Sequence, residues 1–125
     1  MTVSNIWILN SNGIPLYAKM SKKMKKDPIL VSGFIYAISA FAKSIIGDEV
    51  RSIKLRKHVF HIKKHGEIIV AILSDLNEED KIERILSKIA EEFLDTTKYE
   101  NETKILDVDN LKIIDKKMGE ILNKI

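Results

Sequence analysis

Three histidines, His58, His61 and His65, are the residues of this 125-residue chain best suited to hold a metal or move a proton. The segment His58 to Lys63, with Phe60 and Ile62 in phase, reads as a strand, and Lys64-His65-Gly66 reads as the turn behind it. On a strand, an odd separation sends side chains to opposite faces. His58 and His61 therefore do not converge, whereas zinc needs converging donors. The expectation is two strand histidines, one turn histidine and no metal site. The absence of cysteine removes disulfides, thiolate nucleophiles and Cys-type zinc sites. Ser32 and Ser74 lack the flanking glycines of a nucleophile elbow. Gly13, Gly33, Gly47 and Gly66 stand apart, so there is neither a phosphate-cradling loop nor a dinucleotide fingerprint. The acidic run Glu78-Glu79-Asp80 reads as the first turn of a helix, where carboxylates complement the helix dipole. No catalytic, cofactor-binding or metal-ligating residue is expected; the chain reads as a non-enzyme.

The most concentrated polar feature is lysine. Lys19, Lys22, Lys23, Lys25 and Lys26 crowd one loop, with Met20 and Met24 between them. Through Gly66 the chain has 12 basic and 3 acidic residues, a balance of +9; from Glu67 onward it has 9 and 15, or −6. Such polarity can orient a domain toward an acidic partner or an anionic surface. The loop is a candidate anionic-surface contact, each lysine adding about 1 kcal/mol beside anionic lipid; a simply solvated loop is the competing expectation. Only Tyr17 supplies a nearby aromatic, and no helix-turn-helix signal is present, so nucleic acid is not an expected partner.

These residues need a scaffold, and the pattern supplies one. Apolar residues make up 45% and charged residues 31%, and two prolines with five glycines leave no room for a long linker. One domain over residues 1–125 is expected. Ile6 to Leu9 is a β-type run, Asn10-Ser11-Asn12-Gly13 is turn chemistry, and Ile14 to Ala18 resumes an extended pattern. Pro15 assigns that second strand to a sheet edge. Asp27-Pro28 opens a helix in which Leu30, Phe34, Ile38, Phe41 and Ile45 form the expected sheet-facing stripe, and Gly47 closes it. Close packing on the sheet is the expected compensation for Gly33 within that helix. Strands are expected at Glu49–Leu55, His58–Lys63 and Glu67–Ser74, the last continuously apolar and therefore central. A second helix begins at Asn77, Asp95 to Thr103 reads as a connector, and Asp107 caps a third helix ending near Ile125. The buried set should include Phe34, Ile38, Phe41, Ile69, Ala71, Ile85, Ile89 and Ile114.

Pro28 to Ala42 carries no charge, yet Lys43 cuts the run short of the ~20 residues a membrane span needs. A core helix is the expected reading. Met1 to Trp7 has no basic residue before its apolar run, so a secretory signal is not expected and the cytoplasm is.

The order β-β-α-β-β-β-α-α resembles the longin domain, a profilin-like α+β fold. The likeness rests on the hairpin Ile6–Leu9 through Asn12-Gly13-Ile14-Pro15-Leu16, the helix string Leu30-Val31-Ser32-Gly33-Phe34-Ile35-Tyr36-Ala37-Ile38, the meander ending in Glu67 to Leu73, and the helix Glu79 to Phe93. The resemblance implies a five-stranded antiparallel sheet with one helix on one face and two on the other. It also implies a non-enzymatic trafficking adaptor or scaffold that binds or regulates small GTPases, often as a homo- or heterodimer with another longin or roadblock domain. A roadblock domain would place a helix before the first hairpin, which this sequence does not. A chain ending at Ile125 without a coiled coil or anchor is similar to stand-alone, archaeal-type longins.

The first helix carries more apolar surface than one sheet face can cover. Val31, Ile35, Ala42 and Ile46 lie off the expected sheet-facing stripe. With Glu49 and Arg51 of the adjoining unprotected strand edge, they form the candidate partner interface.

Overall fold

The computed structural model describes residues 3–21, 27–75, 79–99 and 108–123. Its strands are β1 (Val3–Asn10), β2 (Pro15–Lys19), β3 (Ser52–Lys54), β4 (Val59–His65) and β5 (Ile68–Ser74). The helices are α1 (Pro28–Phe41), which continues into a π-helical turn over Ala42–Ile46, α2 (Glu79–Thr97) and α3 (Val108–Asn123). The strands form one antiparallel sheet in the order β2-β1-β5-β4-β3. The expected α+β architecture is therefore present, with β5 at the centre, as its continuous apolar run implied, and β2 and β3 at the edges. The connector expected from Asp95 starts later, because α2 runs on to Thr97. The expected caps at Asn77 and Asp107, and Ile125, lie outside the described residues.

Turn chemistry explains the first hairpin. The Asn10 side-chain oxygen accepts from the backbone N–H of Asn12 at 2.9 Å and of Ile14 at 3.0 Å, fixing the bend. Gly13 has φ +85°, and a Cβ there would lie 2.7 Å from Tyr36 of α1, so this position needs glycine both for its backbone and for its neighbour. Asp27 caps α1 as expected, accepting from the Leu30 N–H at 3.0 Å.

Strand alternation divides the core between two faces. Ile6, Ile8, Ile68, Val70 and Ile72 meet Ile82, Leu86, Ile89 and Phe93 of α2 and Ile114 and Met118 of α3. Trp7, Leu9, Ile62, Ile69, Ala71 and Leu73 point the other way, and from α1 the fully buried apolar side chain among them is Ile35. Ile69, Ala71, Ile89 and Ile114 are buried as expected, and Ile85 is half-buried against the α2–α3 core.

The orientation of α1 corrects the sequence reading. Ser32 and Ile35 are its buried residues, while Phe34 and Phe41 are exposed and Ile38 is half-buried. The expected stripe is displaced by about one residue around the helix, roughly 100°. The reason lies in the sheet below. Trp7 is fully buried there and stacks at 5.6 Å on Phe60, which also meets Phe34 at 6.1 Å. Beside this aromatic pair Ser32 and Ile35 are the α1 side chains buried on the sheet, and Leu30 and Phe41 are turned outward. Gly33 is corrected too: it is exposed, and a Cβ there would meet nothing within 4 Å.

Candidate partner-binding face

The outward stripe of α1 and its π-turn is apolar along its length. Ile29, Leu30, Phe34, Phe41, Ile45 and Ile46 are all exposed; Leu30 is 69% accessible, Phe41 60% and Ile45 70%. Between Asp27 and Asp48 the single charged residue is Lys43. A solvent-facing helix normally carries charges on that side. By length and composition, Pro28–Ile46 is long and apolar enough to cross a membrane, yet it lies along the sheet with few residues buried. The expected core helix is therefore a half-core helix. Nearby, the edge strand β3 leaves one side of its backbone unpaired, and Leu55 behind it is exposed.

Of the candidate interface residues, Ile46, Glu49 and Arg51 are exposed, and Val31 and Ala42 are half-buried. Ile35 is fully buried against the sheet, so its assignment to a free face is corrected: with α1 turned, Leu30, Phe34 and Phe41 occupy the place assigned to it. Of the basic loop, Lys19 ends β2 and pairs with Asp115 of α3 at 3.4 Å. Lys22, Lys23, Lys25 and Lys26 lie outside the described residues.

The sequence model of the family described as "First Longin domain of FUZ, MON1 and HPS1" matches residues 4–124. The chain belongs to this longin family. No curated protein matches its sequence. Among solved structures, it is similar to the gliding protein MglB of Thermus thermophilus, with 10% identity, a TM-score of 0.48, and coverage of 98% of this chain and 76% of that one. A roadblock/LC7 domain of Streptomyces avermitilis gives 15% identity and a TM-score of 0.49 over 77% of this chain and 88% of its own. MglB of Myxococcus xanthus gives 14% identity and a TM-score of 0.43 over 98% and 81%.

The histidines of this longin domain occupy three environments. His58 is exposed, His65 is half-buried at the end of β4, and His61 is buried with its Nε2 3.1 Å from Ser74 Oγ. Buried and hydrogen-bonded within the sheet, His61 reads as a packing residue. Among the described residues, no three His, Asp or Glu side chains gather as a metal site.

A polar centre that sequence reasoning missed lies at the β3–β4 margin. Glu83 of α2 accepts from Lys63 Nζ at 2.8 Å and from Arg51 at 3.4 Å. The Lys63 hydrogen bond, with a smaller contribution from Arg51, holds the Glu83 carboxyl below its ordinary value. At the opposite edge Asp115 accepts from the Tyr17 hydroxyl at 2.7 Å. Burial and that carboxylate together push the Tyr17 phenol well above its ordinary value. These pairs join residues 20 or more positions apart, and no local spacing announces them.

Proposed function

We propose that this longin domain is a non-catalytic interaction module. Its partner is a second longin- or roadblock-type domain, another copy or a related chain, docked on the outer face of α1 beside the β3 edge. The exposed stripe Leu30–Phe34–Phe41–Ile45 carries this reading. A contiguous apolar surface of this kind is costly in water and usually marks a partner site. The neighbouring unpaired strand edge favours a partner that itself contains a sheet. A stable pairing should bury on the order of 1,200–2,000 Å² in total. Such a pair would act in the cytoplasm as an adaptor or platform for a small GTPase, the role longin membership suggests.

Sedimentation velocity at micromolar concentration tests the reading. The expected result is a dimer for the wild-type chain and folded monomers for the Leu30→Asp/Phe41→Asp variant, with unchanged circular dichroism. A wild-type monomer that also fails to associate with co-expressed longin-type chains rejects it.

A second reading has its own observation: Ile29 and Leu30 are exposed directly after the lysine-rich segment. A peripheral contact with an anionic membrane would insert these side chains while the lysines face the headgroups. Pelleting with vesicles containing acidic lipid, but not with neutral vesicles, would support it.

A further inference from the structure

A cleft of about 570 Å³ opens between the C-terminal half of α1, the π-turn and the β3–β4 margin. Its origin is readable in the chain. β3 has three residues and β4 seven, so β4 runs on past its partner toward Lys64 and His65. Above this uncovered stretch α1 loosens into the π-turn, where Gly47 N–H donates to Ala42 O at 3.0 Å and a left-handed Gly47 ends the helix. Such turns widen a helix and recur at binding sites.

The lining carries Lys43, Arg51, Lys63 and Lys64 against Glu49 and Glu83. Glu83 is already shared by Lys63 and Arg51. Among the described residues, Lys43 from the π-turn and Lys64 from the sheet have no ion-pair partner. The cations reach the cleft from three elements, the helix above, the strand below and the segment entering β3. Ser39 and Ser44 add hydroxyl donors, and Val50, Ile62 and Ile69 supply an apolar wall. The volume suits a small organic ligand.

We propose that this cleft binds the phosphate group of an organic ligand, soluble or a lipid headgroup, with Lys43 and Lys64 as its principal charge contacts. Cations converging from separate elements, with hydroxyl donors between them, match a tetrahedral dianion better than a planar carboxylate. Arg51 presents a fork suited to phosphate oxygens. The apolar wall would receive the organic body. This ligand site is independent of what docks on the outer face of α1, although Glu49 and Arg51 stand near both.

Calorimetric titration with pyrophosphate at low and moderate ionic strength is the test, with sodium chloride as the ionic control. Saturable binding is expected, weakened at least tenfold in Lys43→Ala/Lys64→Ala. It should be unchanged in Lys112→Ala/Lys116→Ala, on α3. Both single variants, Lys43→Ala and Lys64→Ala, should remain folded because the two side chains are exposed. A parallel arm uses vesicles containing phosphatidic acid. Recruitment lost in the Lys43/Lys64 variant assigns the phosphate to a lipid headgroup, and pyrophosphate binding without recruitment assigns it to a soluble molecule. No pyrophosphate binding, or equal binding in the Lys43/Lys64 variant, overturns the proposal.

Discussion

The two faces of the sheet are built on different terms. Over one face, α2 and α3 bury Ile82, Leu86, Ile89, Ala90, Phe93, Ile114 and Met118, each exposed by 1% or less, and turn charged residues outward. Glu92 of α2 is clasped by Lys88 of the same helix at 3.0 Å and by Lys117 of α3 at 3.3 Å. Over the other face, α1 buries one serine and one isoleucine and presents its large apolar side chains to the outside. The first face carries the signature of an amphipathic surface helix pair. The second has half its helix packed and its other half apolar and exposed. Amphipathicity therefore separates the part of the molecule that holds the fold from the face we propose as the partner site.

The largest effect that could break this contrast is expected on the sealed face. Phe93 is fully buried in the α2–α3 core. Phe93→Ala should lower unfolding stability by about 3–5 kcal/mol, the cost of lost burial plus the cavity left behind. Urea unfolding monitored by circular dichroism measures it. A loss below about 1 kcal/mol, the scale of an ordinary substitution, would mean that this face is not the stabilising one.

Ile35 gives the next largest effect, because it anchors α1 to the sheet. Ile35→Ala should cost about 2–5 kcal/mol. Phe41→Ser, on the outward side of the same helix, should change stability of the isolated chain by no more than about 0.5 kcal/mol. The same urea experiment compares them. Equal losses for the two would show that α1 has no distinct inner and outer sides.

The fold was legible in the sequence because it depends on local signals. Strand alternation, the Asn10–Gly13 turn, the Asp27-Pro28 cap and the apolar run of β5 each specify their own element. The family resemblance agreed with their order. The rotation of α1 was not legible, because a helix apolar around most of its circumference has a weak preferred direction. Which side faces inward depends on how α1 meets sheet residues such as Trp7 and Phe60, which lie far from it in the sequence. The cleft and the Glu83 centre were hidden for the same reason. They follow from β3 being shorter than β4, and they bring Arg51, Lys63 and Glu83 together only after the sheet and α2 have docked.

The smallest expected effect concerns Glu83, which crosses the margin between the two faces by tying α2 to β4 and to the segment entering β3. Its folded pKa lies below the usual value of 4.5, mainly because Lys63 donates a hydrogen bond to the charged form. A depressed carboxylate pKa contributes stability that is fully present above the unfolded value and is lost as pH falls through the folded value. The contribution should therefore be constant near neutrality and fade below about pH 4.5. With a third of the side chain exposed, solvent screening keeps it small. Glu83→Gln should cost about 0.2–1 kcal/mol at pH 7 and at low salt, within the range of surface ion pairs. The wild-type and variant stabilities should draw together as pH falls below about 4.5 and through the folded pKa, because protonation removes from the wild type the charge that the variant lacks. Raising ionic strength at pH 7 should shrink the difference as well. Paired urea titrations across pH 3–7 would show this. A difference that persists unchanged at pH 3 would mean that the loss comes from the acceptor oxygen that the amide replaces, opposite Lys63 and Arg51. Its charge would then contribute nothing to joining the faces.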